Sequence, residues 1–201
     1  QTPSGVAGAN SSGTLALNNG TIAGGLLATS TGGVITTSGG TSTLDGVTAT
    51  SSSVLGIAGF DVIELAAGGM TNHATLTVND DASGGNAILR AAASCTVDGS
   101  GSIKLGPATS DLGDAQIETA AGAVLTNAGN HTIRGTGLIE GDLVNNALIV
   151  ADEPGLELRL TGTISQGPAG ITSADQGIMG LASGGTPTGG NTTSTNGGIV
   201  E

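Results

Sequence analysis

LTNAGNHTIRGTGLIEGDLVNNALIV, residues 125–150, packs several short apolar runs into one stretch, each broken after a few residues by Gly, Asn or Asp. Inside the runs, apolar and polar residues tend to alternate, as in His131-Thr132-Ile133-Arg134. A period of two is a strand signal, and no helical 3.6-residue pattern lasts longer than about a turn. The stretch also echoes itself: Leu125-Thr126-Asn127-Ala128-Gly129 is followed by Leu143-Val144-Asn145-Asn146-Ala147. Asn72-His73-Ala74-Thr75-Leu76 is matched in the same way by Asn130-His131-Thr132-Ile133. Neither echo keeps a fixed short period.

The same texture covers most of the chain. Candidate strands are Thr14–Leu17, Gly33–Thr36, Thr43–Leu44, Ser53–Leu55, Asp61–Leu65, Ala74–Val78, Ala87–Leu89, Cys95–Val97, Ser102–Leu105, Ala115–Glu118, Ala123–Leu125, His131–Arg134, Leu138–Ile139, Asp142–Val144, Ala147–Val150 and Glu157–Leu160. Many are separated by only two to four residues, whereas an antiparallel sandwich calls for turn signals every 8–12 residues or so. In a solenoid each coil is two or three such strands joined by tight bends, and every strand pairs with its equivalent one coil away. The expected fold is therefore all-β, a right-handed parallel β-helix (β-solenoid). With coils of roughly 20–25 residues it has about 8–10 coils and a rod of roughly 40 Å. Glycine and asparagine suit the bends, which require positive φ or a missing side chain. Asn72, Asn127 and Asn145 are expected at corners, where stacked amides form ladders.

Composition agrees. Of 201 residues 38 are Gly, Phe60 is the only aromatic, and Trp and Tyr are absent. An aromatic-rich globular core is excluded, so the buried surface falls to closely spaced Leu, Ile, Val and Ala. Gly/Ser/Thr/Asn richness is also a mark of disordered chains, but the recurring apolar clusters oppose that reading. Net charge is −12, with Lys104, Arg90, Arg134 and Arg159 as the only Lys and Arg residues. That balance repels phosphate backbones and anionic membranes, so nucleic acid and membrane insertion are excluded as partners. No 18-residue apolar run exists to span a bilayer. Cys95 lies in an alternating run and reads as a small core residue. Phe60 fits either an interior or an exposed position.

GTIAGGLLATSTGGVITTSGGTSTLDGVTA (residues 20–49) and GTGLIEGDLVNNALIVADEPGLELRLTGTISQ (residues 135–166) resemble phrases from the repeat modules of very large bacterial surface proteins. These modules are similar to autotransporter passengers and filamentous-haemagglutinin-type adhesins, and the likeness runs roughly from 14 to 171. The resemblance implies an extracellular or cell-surface β-helix with its signal peptide removed, and leaves the role open. Asn146-Ala147 stands where Asn-Gly is usual, and Ala151-Asp152-Glu153-Pro154-Gly155 replaces a more neutral turn. Residues 1–171 are thus expected to be solenoid, and 172–201 a Gly/Thr-rich C-terminal arm or linker packed on a neighbouring subunit.

No residue is assigned a catalytic or cofactor-binding role. The acidic groups Asn79-Asp80-Asp81, Asp111 with Asp114, and Asp152-Glu153 with Glu157 sit in breaks where turn chemistry accounts for them. Asp80, Asp81, Asp111 and Asp114 are the candidate calcium ligands, although none fits the glycine-rich calcium nonapeptide. His73 and His131, in similar contexts, are read as solvated corner residues; as a metal pair they lack an evident third ligand. Alternating threonines are too sparse for an ice-matching face and are good strand residues in any case. The expected function is that of an extracellular structural or adhesive rod that self-associates through solenoid ends and terminal arms into a homo-oligomer or filament. A phage-type fibre or adhesin shaft carrying its tip elsewhere is the second reading, and a carbohydrate-active β-helix, lyase or glycosidase, the third.

Overall fold

A computed structural model describes residues 5–106, 112–182 and 187–201. The strands follow one another in triplets. The first coil is β1 (Val6–Ala9), β2 (Thr14–Leu17) and β3 (Thr21–Ala23); the second is β4 (Leu26–Thr29), β5 (Val34–Thr37) and β6 (Thr41–Asp45). The third coil is β7 (Val47–Ala49), β8 (Val54–Ile57) and β9 (Val62–Leu65), and the fourth β10 (Met70–Asn72), β11 (Thr75–Val78) and β12 (Ala87–Ala91). The fifth is β13 (Cys95–Asp98), β14 (Ser102–Leu105) and β15 (Ala115–Thr119); the sixth is β16 (Val124–Asn127), β17 (Thr132–Gly135) and β18 (Gly137–Glu140). The seventh is β19 (Asp142–Asn145), β20 (Leu148–Ala151) and β21 (Glu157–Leu160), and the eighth β22 (Ile164–Gln166), β23 (Ile171–Asp175) and β24 (Ile178–Leu181). A last partial coil holds β25 (Asn191–Thr195) and β26 (Ile199–Val200).

All first strands stack into one eight-stranded sheet (A), all second strands into a nine-stranded sheet (B), and all third strands into another nine-stranded sheet (C). Every pairing is parallel. This is a three-sided parallel β-helix. Eight inter-coil steps of about 4.8 Å give a stack of roughly 40 Å. Successive coils differ in length: Val124 opposes Asp142, 18 residues on, whereas Cys95 opposes Leu125, 30 residues on.

Alternation puts one set of side chains inside. On sheet C the inner row runs Ile63, Leu89, Ile117, Ile139 and Leu160, each all but inaccessible. On sheet B it runs Ile35, Leu55, Leu76, Ile103, Ile133 and Ile149. Burying each such side chain contributes about 1.5–3 kcal/mol, so stacked aliphatics carry the stability that aromatics supply elsewhere. Cys95 belongs to this core, and burial pushes its thiol up to about 11.

The described part of 172–201 does not stand apart as an arm. β23 and β24 extend sheets B and C, while β25 and β26 pair with them one level further on. All five residues of β25 are exposed, so its pairing in sheet B rests on backbone hydrogen bonds and not on buried side chains.

Candidate functional site

The three corners differ. Between sheets B and C most bends are short, but 79–86 is long. Asp61, Asp80, Asp81, Asp114, Asp152 and Glu153 all fall on this corner, as does Phe60. Long corner loops on a rigid scaffold are where binding residues concentrate. Phe60 is 79% exposed with φ +68, its ring lying over Gly85, where a Cβ would come within 2.4 Å of it.

The calcium candidates are tied into local structure. Asp80 Oδ2 accepts a hydrogen bond from Thr36 Oγ1 at 2.9 Å, two coils away, across the space left by Gly56. Partial burial raises its pKa, with the Asp81 charge adding to the effect. Asp81 Oδ1 accepts from the Gly59 and Ser83 N–H groups at 3.0 and 3.3 Å. Burial pushes the Asp81 carboxyl up, but these hydrogen bonds outweigh it and leave the pKa below the usual value. Asp114 is buried at the end of a 3-10 turn, Leu112–Asp114. Asp111 lies outside the described residues. Among the described residues, no group of three or more His, Cys, Asp or Glu side chains is arranged to hold a metal ion.

The two histidines are not alike. His73 is exposed, and its Nδ1 lies 3.3 Å from the Ser100 N–H and 3.0 Å from the Ser100 hydroxyl. An acceptor role toward that N–H leaves the proton on Nε2. His131, expected in solvent, is completely buried. Its Nδ1 is 2.8 Å from Asn127 Oδ1 and its Nε2 is 3.1 Å from Asn72 Nδ2. The amide orientations are fixed independently: Asn127 Nδ2 donates to Asn145 Oδ1 and Leu148 O, while Asn72 Oδ1 accepts from the Ala74 N–H. His131 is therefore neutral, with its proton on Nδ1. Desolvation pulls its pKa down to about 4 despite the opposing charge of Asp98.

The asparagines stand where the sequence places them, at the corner between sheets A and B. Asn72, Asn127 and Asn145 each donate to the carbonyl of the first residue of sheet B's strand in the next coil: Ser102, Leu148 and Ile171. Asn127 and Asn145 also form a ladder that reaches Gln166 Oε1.

On the outer face of sheet B, a groove of about 520 Å³ runs obliquely from Ser51 in the third coil to Asp175 in the eighth. Its floor is the outward row Thr75, Ser102 and Thr132, which are consecutive partners in register. His73 and Ser100 form one wall. Opposite stand Arg134 and Asp152, paired at 2.7 Å, and beside them Lys104 is paired with Glu153 at 2.9 Å. Each of the four Lys and Arg side chains is bound to a carboxylate. The hydroxyl row was not legible as a site, since only the register brings Thr75, Ser102 and Thr132 together.

Fold and surface together define a β-helix repeat module, a rod of stacked coils. Comparison with known proteins finds no matching family model, no matching curated protein and no matching solved structure.

Proposed function

We propose that this chain is an extracellular structural or adhesive rod, of the kind found in autotransporter passengers and filamentous-haemagglutinin-type adhesins, which assembles end to end. The observation that carries the reading is the unbroken parallel pairing of three sheets along one axis. Such pairing, over a dry aliphatic interior, resists bending and leaves the outer faces free to vary.

The first coil supports the assembly. β1, β2 and β3 have a pairing partner on one side only, and an unpaired strand edge is a template for another strand. Their inward side chains Ala7, Leu15 and Ile22 are only partly buried. No charged residue occurs in 1–44, although the whole chain carries −12. This end therefore meets a neighbouring module or a second copy without charge repulsion.

Negative-stain electron microscopy and light scattering over a range of concentrations test the reading, with and without a calcium chelator. Rods that lengthen in steps of one molecule are expected. Chelator-sensitive length would point to Asp80 and Asp81. Monodisperse single rods at the highest concentrations would overturn the assembly.

A further inference from the structure

The groove on sheet B has a shape and lining that select one kind of ligand. From the third coil to the eighth it spans five inter-coil steps, or about 24 Å. A volume of about 520 Å³ drawn out over that length makes a trench for an extended chain and not a pocket for a compact molecule. Its floor presents hydroxyls one coil apart, at Thr75, Ser102 and Thr132. Each of these donates and accepts. His73, with Nδ1 held by the Ser100 N–H, offers Nε2–H as a donor. Arg134 and Asp152 place a donor and an acceptor side by side at 2.7 Å.

Charge narrows the choice. The groove holds one cation, Arg134, already neutralised by Asp152, and a further carboxylate at Asp175. It repels anionic chains. No aromatic side chain lines it, and Leu148 and Val150 are its only large apolar residues, so it does not suit a ligand rich in apolar anchors. A peptide strand recognises a sheet through backbone groups at an edge, whereas this trench crosses a face where only side chains are offered. The remaining chemistry is a neutral chain bearing closely spaced hydroxyls.

We propose that the outer face of sheet B binds a neutral linear oligosaccharide. Thr75, Ser102, Thr132 and His73 hydrogen-bond successive hydroxyls, and the Arg134–Asp152 pair clasps a vicinal diol. The site goes beyond the rod reading, since a rod that never self-associates still carries it.

The test is calorimetric titration of the whole chain with cellohexaose, maltohexaose and chitohexaose, with hexagalacturonate and a neutral hydrophilic hexapeptide as contrasts. At least one neutral hexasaccharide binds in the micromolar to millimolar range. Thr132→Val and Arg134→Met each weaken it about five- to tenfold, the worth of one or two hydrogen bonds. Thr126→Val, on sheet A, leaves the affinity unchanged. Urea unfolding midpoints confirm that the variants fold. Absence of binding by all three neutral probes overturns the proposal. So does equal affinity in the sheet B variants, or tighter binding of hexagalacturonate or the peptide. Since the titration needs only dispersed chains, its failure leaves end-to-end assembly standing, and a strictly monomeric chain leaves the groove standing.

Discussion

Acidification meets a specific obstacle at His131. Its neutral ring donates from Nδ1 to Asn127 and accepts at Nε2 from the Asn72 amide. Adding a proton at Nε2 makes both nitrogens donors and aims one of them at an NH2 group, with no solvent within reach. The folded pKa of about 4 lies below the ordinary histidine value of 6.5, so the unfolded chain binds the proton more readily. The corresponding stability is fully present above pH 6.5, lost progressively as pH falls toward 4, and constant below that. A difference of two to three pKa units corresponds to about 3 kcal/mol. Urea unfolding of the native chain and of His131→Gln, across this window, isolates the contribution from that of the carboxylates. The native chain should lose about 3 kcal/mol more than the variant between neutral pH and pH 4. Parallel stability curves for the two proteins would refute the buried neutral histidine.

Gly56→Ala puts a methyl 1.6 Å from Asp80 Oδ2 and 2.8 Å from its Cβ, so Asp80 must swing off Thr36. The expected cost is about 1–2 kcal/mol, and an unchanged urea midpoint would show that the contact across two coils carries no weight. Cys95, buried and with its thiol pushed up to about 11, should react with Ellman's reagent at pH 8 at least about a hundredfold more slowly in the native state than in denaturant. Similar rates would place the thiol at the surface.

The sequence disclosed the strands whose side chains are bulky enough to alternate visibly. Thr14–Leu17 and Ser102–Leu105 are observed with the expected boundaries. It did not disclose β1, Val-Ala-Gly-Ala, or β10, Met-Thr-Asn. Those segments are strands because an equivalent strand lies one coil away, an interaction 20 or more residues distant that leaves no local trace. The same holds for β25, whose Thr and Ser residues pair with β23 yet bury nothing. His131 was misplaced for a related reason. Its Gly129-Asn130 neighbours suggest a solvated bend, but its contact with Asn72 crosses the level of Gly99 and Gly101, where the intervening coil has no Cβ. The candidate groove was invisible because residues 27 and 30 apart become neighbours only once the coil lengths are known.

Unequal coils raise the question of what fixes the register, since strands rich in Gly, Ala and Thr specify their pairing weakly. The corner between sheets A and B supplies an answer along much of its length. Near the N-terminal end, Ser53 Oγ donates to Leu27 O and accepts from the Thr29 N–H, and Thr29 Oγ1 accepts from the Val54 N–H. Further on, the inner row of sheet A changes from Val47, Met70 and Val97 to Asn127, Asn145 and Gln166. The amides then continue what the hydroxyls began, joined by His131 and Thr172. A slip of one residue would turn these groups outward and bury their neighbours, stranding buried donors at about 1–3 kcal/mol each. Because that corner holds the register, the opposite corner between B and C is free to vary in length. It is there that the long 79–86 loop, the carboxylates of Asp61, Asp80, Asp81, Asp114, Asp152 and Glu153, and Phe60 are found, and a rod built this way can change its surface without changing its pairing.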